Sequence, residues 1–452
     1  MMKVYNLENI KSVADLKHLL KAVTPDEHSI IVLDTFPGIA KKLQALSISL
    51  FHADEEKVVD QLEDFEDYCG DWLDNLLPFG ALKTEADKEM KKHIGRIACL
   101  CDEAPNLIDD HEIMAHGAMI SSIILSYYLQ ECKEKNLVLD SCRFMRLGLD
   151  RKPDIEYVRK NVEEMMKDSP DVPILIAQSR LCRNVYDEVD FFPHGGNEYY
   201  ATVIGAVFHA DEIITYQHSD SIYFQGMECM RNLTFGEAEN FIDSGIELVH
   251  PECISLACSM GMTIVLMKEP DVAEGQLRIS AEKTGKEVKA AVSRKGVTFV
   301  KLRSLDILTS YLFIGKVFDV FEKYQVPVYL VASSNVSVSL AVKCSDDTLR
   351  LVHRELRKYA EVGMETDMAV VSVIGDLDWV EHAGLEGRII ETLRDMPVCM
   401  ISYGSSIHNL SVLVREQDRK KALMALSNAF LGIPLERFGA MNRIQLQDSF
   451  VI

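Results

Sequence analysis

The sequence predicts an α/β protein in two parts: an α/β/α sandwich over residues 1–285, then two small repeats over 290–364 and 365–452. Two observations carry this reading. First, the β-branched runs 30–33, 172–177, 212–216 and 262–267 are too short for buried helices and read as interior strands. Segments with helical spacing, 58–77, 113–133 and 201–210, lie between them. Fully apolar strands alternating with helices argue for a mostly parallel sheet covered on both faces. Second, the order of elements repeats after Ser280.

The charged stretch 281–294 reads as a turn region. The first repeat is a strand (297–302), a helix (313–324), two strands (326–332 and 336–342) and a helix (346–362). The second runs 368–374, 386–394, 398–403, 410–414 and 416–430 in the same order, and the C-terminal end is free to return to the first repeat. This is β-α-β-β-α twice, a ferredoxin-like half duplicated. Small sheets of this kind pair by their edges and hold small ligands at the seam. The acidic run 54–74, with aromatics between the charges, reads as a solvated amphipathic helix.

Composition narrows the function classes. The net charge of −22 repels phosphate backbones and anionic lipid, and no basic run offsets it, so neither nucleic acid nor membrane is an expected partner. Eleven cysteines, an odd number with no C-x-x-C spacing, make neither a disulfide framework nor a zinc site. A reducing, cytoplasmic setting and no bound metal are expected. The longest apolar stretch, 118–129, is interrupted by three serines and is too short to span a bilayer.

Specific strings now become informative. Ser304-Leu305-Asp306-Ile307-Leu308, Phe318-Asp319-Val320-Phe321 and Val336-Ser337-Val338-Ser339-Leu340 mark the first repeat. Ile374-Gly375-Asp376-Leu377, Arg388-Ile389-Ile390, Met400-Ile401-Ser402-Tyr403-Gly404-Ser405-Ser406 and His408-Asn409 mark the second. Upstream landmarks are Gly117 at a helix start, Leu139-Asp140-Ser141-Cys142-Arg143, the Gly195-Gly196 turn and Val249-His250-Pro251. In these strings the chain resembles the aspartokinase family. The resemblance implies an amino-acid-kinase-like domain followed by two ACT domains, ATP and magnesium as cofactors of an active enzyme, and phosphoryl transfer to the β-carboxylate of aspartate.

That chemistry joins two anions, so the site must supply cations and backbone N–H donors. Here the chain departs from the family. Where relatives open with K-F-G-G, this chain has Asn6 at the lysine and Glu8 and Asn9 at the glycines. The helical G-E becomes Gly117-Ala118, and the G-R-G-G-S-D loop becomes Pro193-His194-Gly195-Gly196-Asn197-Glu198. The nucleotide-side strand end becomes Gln217-His218-Ser219-Asp220-Ser221, and a family lysine becomes Glu247.

By the resemblance, the catalytic positions are Glu198 and His194. The nucleotide positions are Gly195, Gly196, His218, Ser221 and Glu247, and the substrate positions are Asn6, Ala118 and Asn197. The acidic partners of a regulatory lysine become Tyr329 and Asn335, beside Ser334, so a neutral small ligand or none suits that ACT position better than lysine. The leading expectation is a catalytically degenerate, regulatory or partner-binding member of the aspartate-derived amino-acid pathway. It would act as a homodimer or with an intact aspartokinase through its ACT domains. The alternative is an active enzyme rebuilt around Glu198, His194 and His218. Each feature also has a plain reading: Gly195-Gly196 as a turn, the histidines as loop residues, Glu198 as a helix N-terminal acid.

Overall fold

A computed structural model describes residues 1–23, 28–102, 106–167, 172–192, 196–216, 232–267, 276–283, 285, 287–305, 310–334, 336–378, 380–431 and 449–451. In chain order the first elements are β1 (Lys3–Leu7), α1 (Val13–Leu20), β2 (Ser29–Leu33), α2 (Ile39–Phe51), α3 (Glu55–Leu76), α4 (Ala81–Cys101) and α5 (Leu107–Glu131). Next come β3 (Asn136–Leu139), α6 (Ser141–Phe144), α7 (Ile155–Met166), β4 (Ile174–Gln178), β5 (Leu181–Arg183), β6 (Val189–Phe191), α8 (Gly196–Phe208) and β7 (Glu212–Tyr216). They are followed by β8 (Asn232–Thr234), α9 (Phe235–Asp243), α10 (Pro251–Met260), β9 (Thr263–Met267) and β10 (Leu277–Ser280). The chain divides into two compact units, residues 1–219 with 249–281, and residues 220–248 with 282–452.

In the first unit the strands run in the order β3-β4-β2-β1-β7-β9-β10. All neighbours are parallel except β10, which runs against β9. β2 and β4 are buried along their whole length, as their uninterrupted Ile, Val and Leu runs require. β1 connects to β2 on one side while β7 and β9 extend the sheet on the other, so the strand order reverses between β1 and β7, and the carboxyl ends there are the usual ligand position in such sheets. A core from Tyr5 and Ile31 through Phe65, Trp72, Ile97 and Ile124 joins this sheet to α2–α5. Gly117 lies in the middle of α5, not at its start. A Cβ there would come within 2.6 Å of Leu43 and 2.9 Å of Ile39, so glycine is what lets α5 pack on α2.

The second unit continues with β11 (Val288–Ser304), α11 (Ser310–Lys323), β12 (Val328–Ser333), β13 (Ser337–Val342), α12 (Asp346–Leu356) and β14 (Ala360–Gly375). It ends with α13 (Leu385–Thr392), β15 (Val398–Ser402), β16 (Asn409–Arg415), α14 (Arg419–Leu426) and β17 (Ser449–Val451). All strands of its sheet pair antiparallel in the order β12-β13-β11-β14-β16-β15, with β17 beside β11. The sheet curls until its outer strands, β12 and β15, approach each other.

Both repeats therefore share one sheet, because β11 and β14 each run through both of them. Past the bulge at 288–290, the odd position Ala291 faces the helices of the second repeat, whereas beyond 299 even positions, Val300 and Leu302, face those of the first. The register shifts between Arg294 and Phe299 supply the change of parity. The opposite, concave face carries its own apolar patch, Val297, Phe299, Leu330, Met368, Val370, Met400 and Leu413.

Two further sequence expectations are corrected. The stretch 281–294 is not a turn region: β11 begins at Val288, and its charge at Lys289 is buried against Glu237, 2.6 Å away. The helix expected over 346–362 ends at Leu356, and residues from Ala360 pair with β11. No described helix is long and apolar enough to cross a membrane. The described cysteines are all free.

Candidate functional site

At the carboxyl ends of β1 and β2 the first unit gathers four of the residues singled out by sequence. Asn6, paired with Val32 and Thr215, is fully buried, and neither atom of its carboxamide has a well-formed hydrogen bond. Two residues on, Glu8 is half-buried. Asn197 and Glu198 open α8. Asn197 is clamped between two strand ends: its Nδ2 donates to Asp34 Oδ2 at 3.0 Å, and its Oδ1 accepts from Ser179 Oγ at 2.9 Å. Glu198 Oε2 accepts the backbone N–H of His250 at 3.2 Å.

The electrostatics of this cluster are acidic. Burial pushes the Glu8 carboxyl up to about 7, with Glu198 and then Asp34 raising it further, while Asn197 and Asn6 favour the ionised form. Burial and its acidic neighbours therefore hold the carboxyl toward its protonated form. No cation is among the leading influences on it.

His250 stands at a helix start. Its side chain accepts the Glu252 N–H and caps α10, with Pro251 in the first turn. Ala118 is buried in α5 and offers only a methyl, while α5 itself is anchored through Ser121 Oγ, which accepts from Phe36 N at 3.0 Å. Gly196 has φ +55, and nothing would meet a Cβ there, so its backbone conformation rather than crowding favours glycine.

Glu247 is exposed and belongs to the second unit. His194, Gly195, His218, Ser221 and Asn335 lie outside the described residues. In the second unit, Tyr329 lies on β12 with its ring 4.0 Å from the Arg294 guanidinium, and Ser334 Oγ meets Ser337 Oγ at 2.7 Å in the turn to β13.

Sequence reading missed Asp34 and Ser179, which position Asn197. The signal was available: each directly follows an apolar strand, where a parallel sheet presents its ligand-facing groups. It also missed the histidine pair His93 and His116, whose Nδ1 atoms are 2.9 Å apart between α4 and α5.

Comparison with known proteins agrees with this architecture. Residues 49–268 match the amino acid kinase family and residues 371–430 match an ACT domain. The chain is 24% identical over 425 residues to the lysine-sensitive aspartokinase 3 of Escherichia coli, covering 89% of this chain and 92% of that protein. The chain belongs to the aspartokinase family. Solved structures of aspartokinases share its fold. The Escherichia coli aspartokinase III complex with lysine and aspartate aligns with a TM-score of 0.67 at 21% identity, over 95% of this chain and 99% of that one. The Clostridium acetobutylicum aspartate kinase aligns with a TM-score of 0.73 at 16% identity, over 95% and 99%. The first repeat of this aspartokinase-family chain falls outside the matched ACT segment, yet it shares the sheet of the second.

Proposed function

We propose that this aspartokinase-family chain no longer transfers phosphate from ATP to aspartate, and that it works through its ACT repeats as a regulatory or partner-binding subunit of the aspartate-derived amino-acid pathway. One observation carries the reading: Glu8, Asp34 and Glu198 surround Asn197 at the carboxyl ends of β1 and β2, where an active relative would need positive charge. The residues do not fit MgATP. Asn6 is a buried neutral amide at the family's lysine, and Glu8 stands where a glycine would bring backbone N–H groups to a phosphate. Carboxylates gathered around one amide repel the phosphate groups that would have to join them.

A second reading, an active aspartate kinase with a rebuilt site, is favoured by Glu198, whose carboxylate is held in place by the His250 N–H. The test separates the two. Purified protein with millimolar ATP, magnesium and aspartate, trapped with hydroxylamine, is expected to give no aspartyl hydroxamate. Loss of a single charge-stabilising contact costs about 10²–10³ in rate, and several are absent here. Restoring Asn6→Lys is expected to strengthen nucleotide binding before any turnover returns. Robust hydroxamate formation by the unmodified chain, abolished by Glu198→Ala, overturns the proposal in favour of the enzyme.

A further inference from the structure

The segment that joins β14 to α13 in the second repeat brings one histidine and two carboxylates together. Donor atoms of Asp376, Glu381 and His382 all lie within 4.8 Å of one another. The local backbone builds this cluster. A Cβ on Gly375 would collide with the Glu287 carbonyl oxygen and come within 2.9 Å of Val288 Cα, so glycine is what lets the start of β11 lie against the end of β14. That approach carries Lys283 and Glu287 up to the cluster. Leu377 N donates to the Ile407 carbonyl at 2.7 Å, and His382 N donates to the Asp378 carbonyl at 2.8 Å, which fixes the segment near both ends.

Asp376 is 7% exposed, and among the described residues its Oδ1 has no hydrogen-bond partner. The other oxygen of the same carboxyl, Oδ2, faces Lys283 Nζ at 3.3 Å and His382 Nε2 at 3.9 Å. Lys283 Nζ also meets Glu381 Oε2 at 3.2 Å. One ammonium shared by two carboxylates leaves a negative charge uncompensated, and the buried Oδ1 gains nothing from it. The imidazole is oriented from behind. Its Nδ1 lies 3.6 Å from Glu287 Oε1, and Glu287 Oε2 accepts from Arg388 Nη1 at 3.1 Å. A carboxylate behind one ring nitrogen, with the other nitrogen turned toward acidic oxygens, is how a metal-bound histidine is held.

We propose that Asp376, Glu381 and His382 bind one divalent first-row metal ion, with zinc the best fit, and that the Lys283 ammonium holds the ion's place until it arrives. Three arguments fix the class. One imidazole with two carboxylates suits zinc, whereas magnesium and calcium take oxygen donors and copper(I) takes sulfur. Neighbouring donors of a tetrahedral zinc ion stand about 3.4 Å apart, so the 3.9 Å between Asp376 Oδ2 and His382 Nε2 closes by a small side-chain rotation. The Lys283 side chain is 49% exposed and free to swing into solvent, where the incoming ion replaces one positive charge by two. A carboxylate bound through both oxygens also satisfies the orphaned Oδ1 of Asp376. No thiol takes part, so the cysteine pattern, from which no metal was expected, carried no sign of this site.

The test uses the full chain, freed of metal with EDTA and titrated with zinc chloride by calorimetry, with cobalt chloride as a spectroscopic probe. One zinc ion is expected per chain, and excess magnesium is not expected to displace it. Glu287→Gln should weaken binding about tenfold by loosening His382, and His382→Gln should weaken it more. Lys283→Gln removes the resident cation and should tighten binding, a change of opposite sign that a merely disturbed fold does not produce. One equivalent of cobalt should give visible d–d bands without a thiolate charge-transfer band. Affinity unchanged in His382→Gln, weaker binding in Lys283→Gln, a thiolate band at one equivalent of cobalt, displacement by magnesium, or no zinc binding to folded protein overturns the proposal. Hydroxamate formation bears on none of these outcomes, so this proposal and the loss of kinase activity fail separately.

Discussion

Glu8 and His116 pull the pH dependence of stability in opposite directions. Glu8 is raised from 4.5 to about 7, chiefly by burial, so the folded chain holds its proton more tightly than the unfolded one. Its contribution falls as pH rises from about 4.5 to about 7, and the full shift corresponds to about 3 kcal/mol. His116 is lowered from 6.5 to about 4, first by burial and then by His93 and Arg96. There the unfolded chain binds the proton more tightly, so stability is lost as pH falls from about 6.5 to about 4. The two slopes offset each other between pH 4.5 and 6.5. Glu8→Gln should expose the histidine slope and raise the melting temperature at pH 8. His116→Gln should expose the glutamate slope. Urea midpoints at pH 5, 7 and 8 read both, and a flat difference between variant and parent contradicts the assignment. Neither shift was legible in the sequence, because each depends on what the fold buries around the group, not on the residue's neighbours in the chain.

α9 shows what an element costs when its polar anchor is disturbed. Thr234 and Glu237 close a capping box at its start, and the same Glu237 carboxylate takes Lys289, with side chains 1% and 4% exposed. Lys289→Met strands a buried carboxylate and should cost about 3–5 kcal/mol. Adding Glu237→Gln should recover most of that loss, and calorimetric unfolding of the single and double variants checks it. This pair also explains why the start of β11 escaped sequence reading. Lys289 reads as a turn charge until its partner, 52 positions away, is known. By contrast, strand 212–216 was legible to the residue, because its short β-branched centre, Ile213-Ile214-Thr215, carries its own signal in a parallel sheet. The end of α12 was not, since Arg357-Lys358-Tyr359 carries no glycine or proline stop and the pairing of β14 with β11 decides it.

At the scale of the whole molecule, the duplicated order of elements and the α/β/α sandwich were readable from period and spacing, and the family from strings such as Met400–Ser406. The acidic cluster was readable only in part: the changes at Asn6 and Glu8 stand out, but Asp34 joins them through strand order alone. Assembly follows from the edges. Val331 on β12 and Ile401 on β15 are 41% and 45% exposed on the outermost strands, positions that soluble sheets cover or charge. Light scattering at micromolar concentration is expected to report a dimer. Val331→Lys with Ile401→Glu should shift it toward monomer, and a monomeric parent chain contradicts the expectation.

The parity change in β11 has a consequence for how this protein can evolve. Since one strand serves two repeats, a single-residue deletion between 294 and 299 would turn every side chain beyond it to the wrong face, emptying one core of Val300 and Leu302 and moving them to the concave side. Loops elsewhere can lengthen or shorten independently, but this short window and its partner around 365–368 can change length only together. The two halves must therefore change length together, and neither can be exchanged for a homologous half without its share of both long strands.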